Sequence, residues 1–156
     1  MRNLKTVFIL AMLSMSTLVA CKKDKKASDT TYNYDVTLSG ASEVPANAST
    51  ATGKFVGTYT KSTKVLNFTL SYSGMVPTDW HIHKGAPTVS GPVQIALNPI
   101  VPSPLTKSVT LTAEQEMDLL SGNYYVNIHS VDFPGGEIRA QLASPVVVET
   151  GSKIDY

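Results

Sequence analysis

Cysteine occurs once in the 156 residues, tryptophan once and histidine three times. A single cysteine, Cys21, excludes an intrachain disulfide. The net charge is only +1, so no strong overall field points to nucleic acid, which is not an expected partner. There is no Gly-x-Ser-x-Gly elbow, no phosphate loop and no dinucleotide fingerprint. No carboxylate pair stands out for glycoside hydrolysis either. Ser130 directly follows His129, and neighbours on a strand point to opposite faces, so the two form no simple dyad. Hydrolytic catalysis is therefore poorly supported, and no catalytic residue is assigned. The apolar run from Thr6 to Ala20 is fifteen residues, broken by Ser14, Ser16 and Thr17, which is short for a membrane span. The chain length suits one domain with accessories.

What is present begins with a basic start, Arg2 and Lys5, before that apolar run. The run ends in "LVAC", Leu18 to Cys21, and resembles the lipobox of bacterial lipoproteins, in which cleavage precedes a cysteine that is then lipidated. Residues 1–20 accordingly read as a lipoprotein signal peptide, and residues 21–31 as a lipid-anchored tether, charged and without apolar periodicity. An acylated Cys21 would tie the chain to a membrane, at about 0.8 kcal/mol per buried CH₂. Lys22 follows the cysteine where an aspartate would favour retention, so the resemblance implies the outer membrane of a bacterial cell envelope.

From Tyr32 onward the chain alternates apolar and polar residues between turn signals, the pattern of a sandwich or barrel. Tyr34, Val36 and Leu38 share a face; so do Phe55, Gly57 and Tyr59, and Leu66, Phe68, Leu70 and Tyr72. The second and third of these runs should pair as a hairpin. "WHIHK", "GPVQIAL", "TKSVTL", "YYVNIHS" and "GEIRAQLA" read as further strands. The Pro-rich "NPIVPSPL" cannot hold a central ladder. One helix is expected in "TAEQEMDLLSGN": Thr112 as N-cap, Gln115 completing a capping box, Glu114 and Glu116 in the first turn, and Ala113, Met117 and Leu120 as the apolar stripe. The fold class is all-β: an antiparallel, Greek-key-like β-sandwich or barrel with one short helix.

Alternation also sorts the polar residues. His81 and His83 share a face of "WHIHK", with Trp80, Ile82 and Lys84 on the other. With the aliphatic faces inward, His81, His83, Asn127, His129, Glu137 and Arg139 face the other way. If their three strands are neighbours, all three histidines fall in one polar cluster. Three readings stay open. In the first, the imidazoles hydrogen-bond to Asp79, Glu137, backbone or each other and hold the Gly/Pro loops "KGAPTVSGP" and "VDFPGGE". In the second, His81, His83 and His129 ligate copper or zinc, with Glu137 or a water fourth and Asn127 and Arg139 as supporting polar residues. In the third, the cluster is part of a surface that recognises a protein or glycan. Elsewhere, Gly135 and Gly136 are expected at positive φ, and an ion pair of Glu137 with Arg139 or Lys84 is the ordinary alternative to any carboxylate chemistry.

"LSGASEVP" (Leu38 to Pro45), "ATGKFVGTY" (Ala51 to Tyr59), "HIHKGAPTVSGPV" (His81 to Val93) and "YYVNIHSVDFPGGEIRAQL" (Tyr124 to Leu142) together resemble the CHRD domain, named from chordin. The resemblance covers a CHRD-like domain at 32–142 and leaves 143–156 as a C-terminal extension. It implies an extracellular or envelope location and a binding or interaction role, non-enzymatic, toward an envelope or extracellular protein or glycan. "HIH" before a Gly-rich loop is also similar to the copper-ligand strand of Cu/Zn superoxide dismutases. That likeness implies the alternative function, a copper- or zinc-binding and redox-active domain using the three histidines.

Overall fold

Alternating large apolar and polar residues build nine strands in the computed structural model, which describes residues 29–97, 102–143 and 145–150. They are β1 (Asp29–Ser39), β2 (Thr52–Thr60), β3 (Val65–Ser73), β4 (Pro77–Lys84), β5 (Val93–Ala96), β6 (Leu105–Thr110), β7 (Tyr124–Ser130), β8 (Ile138–Gln141) and β9 (Val146–Thr150). The single α-helix of the described residues, α1, spans Ala113–Leu120 between β6 and β7, and a 3-10 turn at Gly40–Ser42 follows β1. The expected all-β class with one short helix is what the chain adopts. The stretch read as a signal peptide, Cys21 and most of the stretch read as a tether lie outside the described residues, as do residues 98–101 of the Pro-rich stretch and residues 151–156.

All pairings are antiparallel, in the order β5-β4-β7-β8-β1-β2-β3-β6, with β9 added beside β1. The β2–β3 hairpin forms as expected, with Phe55 opposite Leu70 and Tyr59 opposite Leu66. The ladder does not lie flat. Tyr72 of β3 and Trp80 of β4 have four strands between them in the order, yet their rings meet edge to face at 6.1 Å. Only a sheet curled back on itself brings them together. It is a half-barrel that ends at β5 and β6, and its concave side holds one core.

That core contains the faces chosen by alternation: Tyr34, Leu38, Phe55, Tyr59, Leu66, Phe68 and Leu70 from one half, and Trp80, Ile82, Tyr124, Val126, Ile128, Ile138, Ala140 and Leu142 from the other. Phe55 and Phe68 stack at 4.9 Å. Trp80 is fully buried, which makes it a core plug and not a recognition residue.

Helix α1 starts as its sequence dictates. The Thr112 side chain accepts from Gln115 N, and the Gln115 side chain accepts from Thr112 N at 2.9 Å. Gly122, at φ +71°, ends it in a conformation that other residues adopt poorly. The expected stripe is corrected, however. Met117 is 63% exposed, and Leu119 is the fully buried residue, beside a partly buried Leu120. Two ion contacts favour this rotation: Glu116 turns toward Lys64 and Asp118 toward Lys84, which places position 119 between them and against the core.

Two boundaries also move outward. β1 begins at Asp29, inside the stretch read as tether, and pairs over Asp29–Asn33 with β9, inside the stretch read as an extension. Each segment supplies the other's hydrogen bonds, so neither shows a strand signal as clear as those of the core.

Candidate metal centre

Strands β4, β7 and β8 are consecutive neighbours, so the convex faces expected to cluster do so. Across β4 and β7, Asp79 stands opposite His129, His81 opposite Asn127, and His83 opposite Tyr125. Across β7 and β8, Asn127 stands opposite Arg139 and Tyr125 opposite Gln141. This face is not solvent-facing. His83, Tyr125, Asn127, Glu137 and Arg139 are all buried, Arg139 to 1% exposure.

Loops cover it, and the polar side chains beneath hold those loops by their backbone. Arg139 donates to the carbonyls of Ala86 (3.1 Å) and Val89 (3.2 Å) and to Gln141 Oε1 (3.1 Å). Gln141 donates to the carbonyls of Gly85 and Gly122, both at 2.8 Å. Asn47 donates to the carbonyls of Gly136 and Glu137, and the Ser49 hydroxyl to Glu137 Oε1 at 2.6 Å. The Arg139 guanidinium carbon lies 3.4 Å from the centre of the Tyr125 ring, and His83 stacks on Tyr125 at 4.9 Å and 8°. Tyr125, on the middle strand, is thus held between a cation from β8 and an imidazole from β4. In the loop after β7, Gly136 has a positive φ, and its missing side chain leaves room for Glu43 and Asn127; Gly135 is not at positive φ, contrary to expectation.

The histidines have a more particular arrangement. A backbone carbonyl can only accept, so His83 Nδ1, 2.8 Å from Gly91 O, carries a hydrogen. So does His129 Nδ1, 2.9 Å from Pro134 O. His81 Nε2, 3.2 Å from Asp79 Oδ2, is the donor to a carboxylate. Each neutral ring then has one lone pair left, on His81 Nδ1, His83 Nε2 and His129 Nε2. Two of these, His81 Nδ1 and His129 Nε2, lie 3.2 Å apart, which is a hydrogen bond between the rings when one of the two nitrogens carries a proton. The third, His83 Nε2, is buried with no hydrogen-bond partner. Among the described residues these three side chains form a group in which one ring nitrogen of each lies within 4.8 Å of the others. Burial holds His83 and His129 below the ordinary imidazole pKa; the Gly91 and Pro134 carbonyls oppose this, and His81 adds to it. The two rings are therefore neutral at pH 7, the form that binds metals.

The other expected members of the cluster separate. Glu137 gives its carboxylate to Ser49 and is not in the histidine group. The ion pairs expected for it do not form: Lys84 pairs with Asp118 (2.8 Å) and Glu114 (3.7 Å) on α1, and Arg139 serves the loop carbonyls. Ser130 Oγ accepts from Phe133 N and caps a turn. Asn127 lies at the centre of the face, opposite both His81 and Arg139.

Glu43 is the residue that sequence reasoning missed. Burial pushes its carboxyl up to about 7, although Arg139 and Asn127 pull it down. It sits in a loop without strand periodicity, far along the chain from the residues it meets, and nothing local marks it.

Neither curated proteins nor solved structures provide a match to the chain. A family model described as the CHRD domain matches residues 34–142, from Tyr34, the first buried residue of β1, to Leu142 just after β8, and the chain belongs to the CHRD domain family.

Proposed function

We propose that this CHRD domain is a lipid-anchored, non-enzymatic binding module of the bacterial envelope, and that it binds a transition-metal ion at His81, His83 and His129. One observation carries the metal reading: three imidazoles, each with one nitrogen engaged by an oxygen acceptor, bring one ring nitrogen apiece within 4.8 Å of one another. Two lone pairs at 3.2 Å repel unless a proton or a metal cation stands between them. Outer-nitrogen acceptors of this kind are what orient histidine ligands in metal sites. The spacing also fits. Two nitrogens bound tetrahedrally at 2.0–2.1 Å lie about 3.3 Å apart. The widest pair in the group has to close by at most about 1.5 Å to reach that distance. Three neutral nitrogen donors favour zinc or copper over calcium or magnesium, which take oxygen.

Elemental analysis of untagged protein, with His83→Ala as control, tests this. One zinc or copper per wild-type chain is expected, with the metal lost in the variant. Added metal at a hundredfold excess over its Kd should stabilise the wild type by about 2.7 kcal/mol. Absence of stoichiometric metal together with an unmoved melting temperature would refute the metal reading.

The anchor is tested separately. Cys21→Ser should shift the protein from the membrane fraction to the soluble fraction of its native host, and wild-type chains should carry an acyl mass at Cys21. An unchanged distribution would rule the anchor out. The broader interaction reading is supported by the loops at 85–92 and 131–136. Buried Arg139 and half-buried His129 fix them by their carbonyls, so a protein or glycan would meet a preformed surface.

A further inference from the structure

The metal reading leaves the ion one donor short of four, and the surrounding side chains bear on what completes the set. A carboxylate is one fourth donor that a protein could supply. Asp79 accepts from Trp80 N through Oδ1 at 2.8 Å, and its Oδ2 lies on the outer nitrogen of His81, on the far side of that ring from the lone pair. Glu137 is committed to Ser49. The nearby loops give their carbonyls at Gly91 and Pro134 to the outer nitrogens of His83 and His129. All three histidines rise from one face of two adjacent strands, so they approach an ion from one side. His83 is buried, but the His81 side chain is 15% exposed, which gives the centre an edge on solvent.

A second, independent feature is Asn127. It is 2% exposed, lies directly opposite His81, and its Oδ1 is buried without a partner. Its amide nitrogen is on the side of Gly136 and Glu43, so the oxygen occupies the other branch of the amide, away from them. A buried acceptor without a donor is costly, by about 1–3 kcal/mol. A bare metal ion cannot donate to it, and a metal-bound water can.

We propose that the fourth coordination position takes a small protic ligand from solution, water at rest, and that Asn127 Oδ1 accepts a hydrogen bond from it. The inference rests on the metal reading. Asn127 is then a positioning residue that selects neutral protic ligands, such as water, an alcohol or hydrogen peroxide, over small anions. An aprotic anion such as azide in the same place has no proton to give and meets the amide oxygen.

Cobalt(II)-loaded protein titrated with azide provides the test, read by the visible absorption of the cobalt. Wild-type protein should show a saturable, single-site spectral change as azide replaces water. Asn127→Ala should keep its cobalt affinity and bind azide about fivefold more tightly, the equivalent of one neutral hydrogen bond. Should the alanine variant not fold, Asn127→Ser is read in the same way. Cobalt uptake with a spectrum indifferent to azide overturns this inference alone. So does an unchanged azide affinity in the variant, and so does a loss of cobalt affinity there, which would make Asn127 itself a ligand. Failure of the wild type to take up cobalt overturns the metal reading with it.

Discussion

Arg139→Ala is expected to lower the stability of the domain by about 3–5 kcal/mol, the range for removing one partner from a buried charged network. Arg139 is a charged residue on the convex face at 1% exposure, and it connects three things at once. Its hydrogen bonds to the carbonyls of Ala86 and Val89 fix the loop after β4. Its guanidinium covers Tyr125 at 3.4 Å. It also supplies the positive charge beside Glu43. Alanine removes the Arg139 hydrogen bonds to two loop carbonyls, of which Ala86 O keeps its bond from Val89 N, and it opens a cavity over the ring. Urea denaturation of the two proteins measures the difference. Arg139→Met separates packing from hydrogen bonding, since it restores volume but not the donors, and it should recover the smaller part of the loss. A deficit below 1 kcal/mol in the alanine variant would mean that the loop holds itself.

Glu43→Gln is expected to act in the opposite direction, with an effect that depends on pH. The Glu43 carboxyl has an ordinary value of 4.5 and is pushed up to about 7 in the folded chain, first by burial. Between those values the folded state binds the extra proton, so stability falls as pH rises through this window. The stabilisation is fully present below the ordinary value and gone above about 7. A shift of this size corresponds to roughly 3 kcal/mol at pH 8. Glutamine keeps the shape of the protonated acid and cannot ionise, so the variant should exceed wild type by on the order of 1–3 kcal/mol at pH 8 and match it near pH 4.5. His83 and His129 have the reverse sign. Their folded values are depressed, so their contribution is present above the ordinary imidazole range and is lost as pH falls below about 6.5. In wild type the two trends partly cancel between pH 5 and 6.5. In Glu43→Gln the acid loss from the histidines should stand alone. Melting temperatures at pH 5, 6.5 and 8 report both. Parallel curves for the two proteins would mean that Glu43 is ionised in the fold at neutral pH.

The sequence made the inward faces legible because a strand's period is fixed by its backbone. Trp80 and Ile82 on one strand, and Tyr124, Val126 and Ile128 on another, could go only one way once water was excluded from one side. The same parity placed His81, His83 and His129 on the opposite face. That β4 and β7 are neighbours is a matter of topology, which parity does not contain. Directions finer than a face were not legible. Glu137 has the correct parity for the histidines, but it turns to Ser49, a residue of a loop with no periodic signal. Met117 fits a helical stripe, but an eight-residue helix is rotated by its ion contacts as easily as by its apolar side. Glu43 and Asn47 act on residues about ninety positions away, and no local pattern announces contacts of that span.

The early start of β1 sets how far the domain can stand from a membrane. If Cys21 carries the anchor, eight peptide steps separate it from Asp29, a leash of at most about 28 Å at full extension. β1 then runs from Asp29 to Ser39, and Ser39 lies beside Arg139. Its ten residue-to-residue steps cover about 33 Å. The anchored end of the strand and the loop-bearing end are therefore opposite poles of the domain. Lipidation at one pole would leave the histidine face free to meet solutes or partners approaching from the aqueous side, and a short leash would limit how far that face could tip back toward the bilayer.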